Sequence, residues 1–197
     1  MADAAHRRMT PEDFFRWQDE QDDTFELVDG VPVPRNRMMT GTDMRHDRVK
    51  VNVIVALHRP LRGSGCWPTT GAVVMRTCSA TLRRPDVTVD GGPIVADSQE
   101  VGGPRLAVEI ASPATVSVDQ IVKLEEYKRH PALRYILLLE TVAPVALLYR
   151  REAEGWQPEQ FEGLEAVIDL PEIGASLALV EIYDGLTFAV RITDAMR

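Results

Sequence analysis

The chain has 197 residues, and its 22 Lys and Arg against 30 Asp and Glu give a formal net charge of −8. A chain of this length can bury about 70% of its unfolded surface, so a core forms without disulfides, and no apolar run approaches the roughly 20 residues of a membrane-spanning helix. The acidic balance excludes nucleic-acid binding driven by overall positive charge, so such a partner would need a local basic patch or bound metal ions.

The N-terminal region contains a predicted helix and a predicted β-hairpin. Thr10 is a hydroxyl cap residue with a proline directly after it, which predicts a helix over residues 11–21. Residues 25–28 and 31–33 have the composition of strands. The Asp-Gly pair at 29–30 supplies the positive φ angles of a tight turn and predicts that the two strands form a hairpin.

A second helix and three strands are predicted next. Apolar residues at helical spacing in residues 43–57 predict the helix, and Pro60 is expected to end it. Residues 72–76, 86–89 and 106–110 are short segments rich in Val and Ile and bounded by Gly or Pro, which is typical of strands.

The pattern continues with a third helix and a strand pair. The S-x-x-Q capping box of Ser117 and Gln120 predicts a helix over residues 118–129. Residues 135–139 are almost all apolar, as expected for a strand in the middle of a sheet that is covered on both faces. Residues 145–149 are expected to be its hairpin partner.

Beyond Arg150 the sequence is dominated by polar turns around Gly155 and Gly163, with weaker strand signals near Val167 and Leu177. The order of helices and strands favours the α/β class, with a mixed central β-sheet flanked by α-helices. With no repeat or linker along the chain, it is expected to form one domain.

Residues 1–9 are expected to be a disordered tail and residues 10–197 the single domain. The N-terminus has no apolar stretch typical of a secretory signal, so a cytoplasmic location is expected. Cys66 and Cys78 lack nearby partners at metal-ligand spacing and are expected to be reduced, partly buried thiols.

The candidate chemistry lies between residues 83 and 127. Asp86 begins one predicted strand and Glu109 stands near the end of another. If these strands are neighbours, the two carboxylates can converge on a hard cation such as Mg²⁺ or Mn²⁺. Glu109 interrupts an apolar strand, and burying an unpaired carboxylate costs several kcal/mol, so it is expected to bind a cation or to lie at a half-exposed strand end.

Asp119, Lys123 and Tyr127 recur every four residues and therefore share one face of the predicted third helix. An ammonium group at Lys123 could orient the attacking water or stabilise charge in the transition state of a hydrolytic reaction. Alternatively, Lys123 and Asp119 form an ordinary surface pair and Tyr127 is a core residue.

The sequence resembles the Uma2 family of the PD-(D/E)XK nuclease superfamily, which has the restriction-endonuclease-like fold. The motifs that carry the resemblance are Phe25-Glu26-Leu27-Val28-Asp29-Gly30, His46, Pro85-Asp86-Val87, Val108-Glu109-Ile110-Ala111-Ser112-Pro113-Ala114-Thr115, and the set Asp119, Lys123 and Tyr127. The resemblance implies a Mg²⁺-dependent phosphodiester hydrolase in which Asp86, Glu109 and the backbone carbonyl of Ile110 bind the metal. It also implies Glu26 as an additional acidic residue near the site, to be counted with Asp86, Glu109 and Lys123 in the catalytic set.

The sequence departs from the superfamily motif two residues after the glutamate, where Ala111 stands in place of the motif lysine. Sequences of the Uma2 type typically offer instead the lysine of the next helix, which is Lys123 here. Its long side chain could bring the ammonium group to the same point.

Candidate substrate-binding residues are His46, Tyr127 and Arg84. A locally basic stretch also surrounds the start of the second helix, formed by Arg35, Arg37, Arg45, Arg48 and Lys50. Such a stretch is either a solvated face or, beside an acidic cleft, a place to hold a phosphate backbone. Arg83 and Arg84 could serve in the same way.

Three functional hypotheses follow. The first is an endonuclease that cuts DNA, for which a twofold homodimer would match the symmetry of a duplex. The second is a catalytically inactive module on the same fold that binds nucleic acid or a protein. The third, a two-carboxylate glycosidase, is disfavoured by the 6% aromatic content and by the adjacent lysine.

Overall fold

The computed structural model of the chain describes residues 8–35, 44–111 and 118–188. Its helices are α1 (Pro11–Gln18), α2 (Met44–Leu61), α3 (Val118–Arg129) and α4 (Leu179–Ile182), with a 3₁₀ turn at Pro171–Ile173. The strands, numbered β1 to β12 in chain order, are Phe25–Val28, Val31–Pro34, Trp67–Thr70, Met75–Cys78, Thr81–Arg83, Val87–Asp90, Pro104–Ala111, Tyr135–Glu140, Val145–Glu152, Gly155–Glu162, Val167–Leu170 and Ala175–Ala178.

A six-stranded sheet forms the centre of the fold, in the order β10-β9-β8-β7-β6-β3. Strands β7 and β8 are parallel, and the other neighbouring pairs are antiparallel. This confirms the predicted mixed sheet. A second sheet has the order β2-β1-β5-β4, and β11 pairs with β12.

Helices cover both faces of the central sheet. On one face, Val49, Val53 and Leu57 of α2 belong to the same buried cluster as Val108 and Ile110 of β7. On the other face, Tyr127 of α3 packs with Ala107 of β7 and Ile136 of β8. Because side chains alternate along a strand, the odd-numbered positions of β7, Glu109 among them, face α3.

The predicted hairpin of β1 and β2 is present, with its turn at Asp29 and Gly30. Their φ angles are 49° and 80°, in the left-handed region that an Asp-Gly pair tolerates. A Cβ at Gly30 would lie 3.1 Å from the backbone oxygen of Met9, so glycine is required there for space as well. Residues 1–7 of the predicted tail lie outside the described residues.

Two predicted helix ends are wrong. Helix α1 ends at Gln18 and not at residue 21, because the Gln18 side chain binds the backbone of Asp23 and Phe25 and turns the chain back. Helix α2 continues through Pro60 to Leu61, whose side chain is buried in the core. A proline this close to a helix end removes only one hydrogen bond, and burial of Leu61 offsets that loss. The predicted start of the second helix, residue 43, and the predicted cap of the third helix, residue 117, lie outside the described residues.

Several predicted strands are displaced or were missed. The strand predicted at residues 72–76 is β4, Met75–Cys78, and β3 and β5 were not predicted. The segment between Gly155 and Gly163, for which polar turns were predicted, contains the eight-residue strand β10. This strand pairs with β9 over its whole length. Its side chains are mostly exposed, so it has little apolar signal, and backbone pairing at the sheet edge determines its structure.

Both cysteines are free thiols, Cys66 half-buried and Cys78 exposed. The predicted partial burial is therefore wrong for Cys78. Within the described ranges, no helix is long and apolar enough to cross a membrane.

Candidate metal and phosphodiester site

The pairing of β6 with β7 brings the two predicted carboxylates together. Val87 pairs with Val108, so the same antiparallel register carried back by one residue sets Asp86 opposite Glu109. The backbone N–H of Ile110 donates to Oδ2 of Asp86 at 3.0 Å, which fixes that carboxylate at the end of the sheet. The neighbouring strands that the sequence argument required are therefore present.

Asp86 is almost completely buried and lies among basic groups. Its Oδ1 is 3.1 Å from Nη2 of Arg35 and 3.1 Å from Nζ of Lys50, and its Oδ2 is 3.2 Å from Nε2 of His46. Burial by itself would raise the pKa of Asp86, but the contacts with His46, Lys50 and the Ile110 N–H outweigh it and hold the pKa well below its usual range. Asp86 is therefore ionised.

Glu109 is half-buried on the side of β7 that faces α3. Its Oε1 accepts a 2.5 Å hydrogen bond from the hydroxyl of Tyr127. Burial and the negative charge of Asp86 raise its pKa to about 7, although Lys123 and the Tyr127 hydroxyl act in the opposite direction. A cation between Asp86 and Glu109 would favour the ionised form of Glu109.

Lys123 extends from α3 into the site instead of into solvent. Its Nζ lies 3.0 Å from Oε1 of Glu26 and 3.6 Å from Oδ2 of Asp119. Burial would lower the pKa of the ammonium group, but Glu109, Glu26 and Asp119 together raise it above its usual value. Lys123 is therefore a fixed positive charge beside Glu109 and not a proton acceptor at neutral pH.

Glu26 lies in a buried ionic network. Besides Lys123, it accepts a hydrogen bond from Nη1 of Arg83 at 3.0 Å and one from the backbone N–H of Arg84 at 2.9 Å. Burial opposes ionisation, but Lys123, Arg83 and the Arg84 N–H lower the pKa of Glu26. Arg83 in turn forms two hydrogen bonds of 2.7 Å with Glu126. These contacts suit Glu26 to holding Lys123 in position.

The other two predicted substrate-binding residues, Arg84 and Tyr127, are buried. Arg84 donates to the backbone oxygens of Phe25, Gly71 and Ala72, and so ties β1 to the loop after β3. Tyr127 packs in the core with its hydroxyl on Glu109. In this arrangement Arg84 orders the backbone and Tyr127 orients Glu109.

The donor set suits a hard divalent cation. Mg²⁺ typically binds one or two carboxylates plus water and substrate phosphate, and Asp86 and Glu109 supply two carboxylates next to the carbonyl of Ile110. Throughout the described ranges there is no group of three or more His, Cys, Asp or Glu side chains that could hold a metal ion. Two carboxylates and one carbonyl leave coordination positions for water and substrate phosphate, as Mg²⁺ prefers.

An apolar cavity of about 400 Å³ adjoins this site. Glu109, Lys123 and Tyr127 line one end of it, and Leu138 and Leu147 of the sheet line its wall. Glu109 therefore borders open space that a ligand can enter, whereas Asp86 does not line this cavity.

Sequence reasoning placed Arg35 and Lys50 in a basic stretch but did not predict their contact with Asp86. Lys50 is one turn after His46 on α2, a spacing that puts both on one helix face. Gly71, beneath the guanidinium of Arg35, has no signal in the sequence beyond being a glycine.

Comparison with known proteins identifies the family and agrees with the fold. Residues 11–180 match the sequence profile of the Uma2 family, described as "Putative restriction endonuclease", and the chain belongs to this family. An uncharacterized protein from Synechocystis sp. is 27% identical over 186 residues, which are 92% of this chain and 94% of that protein.

A crystal structure from Anabaena variabilis, titled as a putative nuclease belonging to DUF820, has the same fold. It superposes with a TM-score of 0.66 over 89% of this chain and 97% of that one, at 15% sequence identity. The restriction-endonuclease-like fold predicted from the sequence is thus confirmed.

Proposed function

We propose that this chain is a metal-dependent endonuclease that hydrolyses phosphodiester bonds in DNA. The observation that carries the proposal is the convergence of Asp86, Glu109 and the charged Lys123 at one end of the central sheet. Membership of a family described as "Putative restriction endonuclease" supports the same reaction class.

Asp86, Glu109 and the carbonyl of Ile110 would hold Mg²⁺ or Mn²⁺. When bound, such an ion supplies Lewis-acid polarisation of the phosphoryl group and a water molecule with a lowered pKa. Asp86 is ionised already, and Tyr127 holds the Glu109 carboxyl in a defined orientation.

Lys123 supplies the positive charge of the motif lysine, whose position is taken by Ala111 in this sequence. Because Glu26 and Asp119 fix its ammonium group beside Glu109, it can stabilise the negative charge that develops on a phosphoryl oxygen in the transition state. Its raised pKa keeps it protonated, so its role is electrostatic.

Plasmid nicking tests the proposal. With Mg²⁺ or Mn²⁺ the protein should nick supercoiled DNA, and chelator should abolish the nicking. Asp86→Asn, Glu109→Gln and Lys123→Met should each lower the rate about 100-fold or more, in line with the loss of a metal ligand or an electrostatic group.

The matched controls are Asp169→Asn and Lys128→Met, which alter exposed or surface-paired residues away from Asp86 and Glu109. Both should nick at the rate of the unaltered protein. Nicking that persists in Asp86→Asn, or no nicking with either ion, would contradict the endonuclease and favour a nuclease-fold module that only binds.

Two further parts of the proposal concern assembly and location. A twofold homodimer would present two sites to the two strands of a duplex, and light scattering with and without DNA tests it. The cytoplasmic location stays a prediction from the sequence, which fractionation of cells that express the protein would test.

A further inference from the structure

The basic side chains around Asp86 outnumber its single negative charge. Arg35 and Lys50 both contact Oδ1, and His46 contacts Oδ2. The guanidinium of Arg84 is close enough to Arg35 that burial and the charge of Arg35 together lower its pKa, while Glu26 opposes them. Arg84 has Glu26 as its own counter-charge, so the excess comes from Arg35 and Lys50: one carboxylate faces two direct cationic partners, which favours an additional anion.

Arg35 and Lys50 lie on the solvent side of Asp86. Their side chains are 16% and 20% exposed, against 4% for Asp86. An anion approaching from solvent would therefore meet the two cations before it meets the carboxylate. A guanidinium beside an ammonium group suits a phosphate, because the guanidinium can donate two parallel hydrogen bonds and the ammonium adds a point charge.

Gly71 holds the guanidinium of Arg35 in place. A Cβ at position 71 would lie 2.7 Å from both terminal nitrogens of Arg35, so the guanidinium rests directly on the glycine backbone. Arg84 fixes that backbone by donating to the Gly71 oxygen at 3.1 Å. Gly71 does not have a positive φ, so alanine fits its backbone conformation and would only displace Arg35.

We propose that Arg35 and Lys50 form a phosphate clamp, and that these two side chains alternate between Oδ1 of Asp86 and a phosphate of the nucleic-acid substrate. The proposal rests on the proposed function, because it takes Asp86 as a metal ligand. A divalent cation on Asp86 competes with Arg35 and Lys50 for the same oxygen. A phosphate offers those two cations a replacement partner and thereby relieves the competition.

Metal binding and phosphate binding should therefore reinforce each other. By thermodynamic linkage, the factor by which the metal strengthens DNA binding equals the factor by which DNA strengthens metal binding. Without DNA, Arg35 and Lys50 compete with the metal for Oδ1 of Asp86 and weaken metal binding. Their removal should therefore weaken DNA binding and strengthen metal binding, a pair of opposite effects that a merely structural role would not produce.

The test measures binding in place of turnover. Fluorescence anisotropy with a short labelled duplex and Ca²⁺ should show that Arg35→Gln and Lys50→Met each weaken DNA binding about tenfold. Each should also reduce the slope of log K against log salt by about 0.9, the value for one lost phosphate contact. Gly71→Ala should weaken binding in the same direction with every charge retained.

Mn²⁺ titration by calorimetry on the DNA-free protein gives the second readout. Arg35→Gln and Lys50→Met should bind Mn²⁺ several-fold more tightly than the unaltered protein, because a competing cation is gone. The matched control is Arg59→Gln, which removes an exposed arginine of α2 and should leave both affinities within about twofold. Melting temperatures establish that each variant is folded.

The clamp is overturned if Arg35→Gln and Lys50→Met keep the DNA affinity and salt slope of the unaltered protein. It is overturned equally if DNA binding weakens while Mn²⁺ affinity stays the same or falls, because the two side chains would then not compete with metal at Asp86. Failure of the proposed function would give a different result. The unaltered protein and Asp86→Asn would then bind Mn²⁺ with the same affinity, and the unaltered protein would not nick plasmid DNA.

Discussion

Glu26 and Glu109 are two carboxyl groups near Lys123, and their pKa values are shifted in opposite directions. Glu26 is fully buried, but two cations and a backbone N–H bind it and its pKa is lowered. Glu109 is only half-buried, yet it contacts a hydroxyl, faces the anion of Asp86, and has a pKa raised to about 7.

The comparison shows that burial alone does not define a functional carboxylate. Both groups lose hydration on burial, but only at Glu26 do partners within the protein outweigh that loss. Glu109 lacks a direct cationic hydrogen-bond partner among the contacts of the described residues, and a bound cation would supply one. This contrast supports the roles given to the two residues in the proposed function, with Glu26 positioning Lys123 and Glu109 as a metal ligand.

The largest expected effect is from Glu26→Ala. It would leave Arg83 and Lys123 buried without their shared anion, so the free energy of unfolding should fall by about 3–5 kcal/mol. Urea denaturation measures this change. The control Glu154→Ala, at an exposed turn, should stay within about 0.5 kcal/mol. A loss below about 1 kcal/mol for Glu26→Ala would mean that the network contributes little.

Substitution by glutamine should change the free energy of unfolding in opposite directions at the two carboxyl groups. In the presence of chelator at about pH 8, Glu109→Gln should raise the free energy of unfolding by about 1–3 kcal/mol, because it removes a charge that the site disfavours. Glu26→Gln should lower it. The same urea titration tests both variants, and a shared sign would refute the contrast drawn between them.

The pH dependence of stability gives a third test. The raised pKa of Glu109 means that its contribution is fully present below about pH 4.5 and is lost as the pH rises through about 7. The lowered pKa of Glu26 has the opposite consequence. Its contribution to the free energy of unfolding is present above about pH 4.5 and is lost as the pH falls below that value.

The stability gained by Glu109→Gln should therefore grow between about pH 5 and pH 8, by about 1–2 kcal/mol. Denaturation of the unaltered protein and of the variant at both pH values measures it. A gain that is constant over this range would show that Glu109 does not titrate there.

Tyr127→Phe is expected to have the smallest effect. It removes the hydroxyl that donates to Glu109, so the pKa of Glu109 should rise further and the free energy of unfolding should fall by about 1 kcal/mol. NMR titration of the Glu109 carboxyl measures the first change. An unchanged or lower pKa would show that the hydrogen bond does not stabilise the ionised form.

Much of the fold was predictable from local patterns. The Asp-Gly turn, the apolar strand β8 and the helix α3 each follow from a residue preference that acts within a few positions. Strand β10 was not predictable, because its stability comes from pairing with β9 and its exposed side chains carry no apolar pattern.

Part of the site was also predictable. Glu109 stands out as an acid in an apolar strand, Asp86 as an acid at the start of a predicted strand, and Lys123 by its spacing on the helix, while the resemblance to the Uma2 family pointed to Glu26. The contact of Arg35 with Asp86 was not predictable, since nothing in the spacing of two residues 51 positions apart indicates that they meet.

The sequence by itself determined the α/β class, two candidate acids on separate predicted strands and the overall charge of −8. Only the tertiary structure decided which cation meets which acid, because Lys123 reaches Glu26 across 97 positions of the chain. An ionisable group takes its pKa from groups within a few ångströms, whatever their separation in sequence. For that reason the opposite pKa shifts of Glu26 and Glu109 follow from where the tertiary structure places Lys123 and Tyr127 of α3.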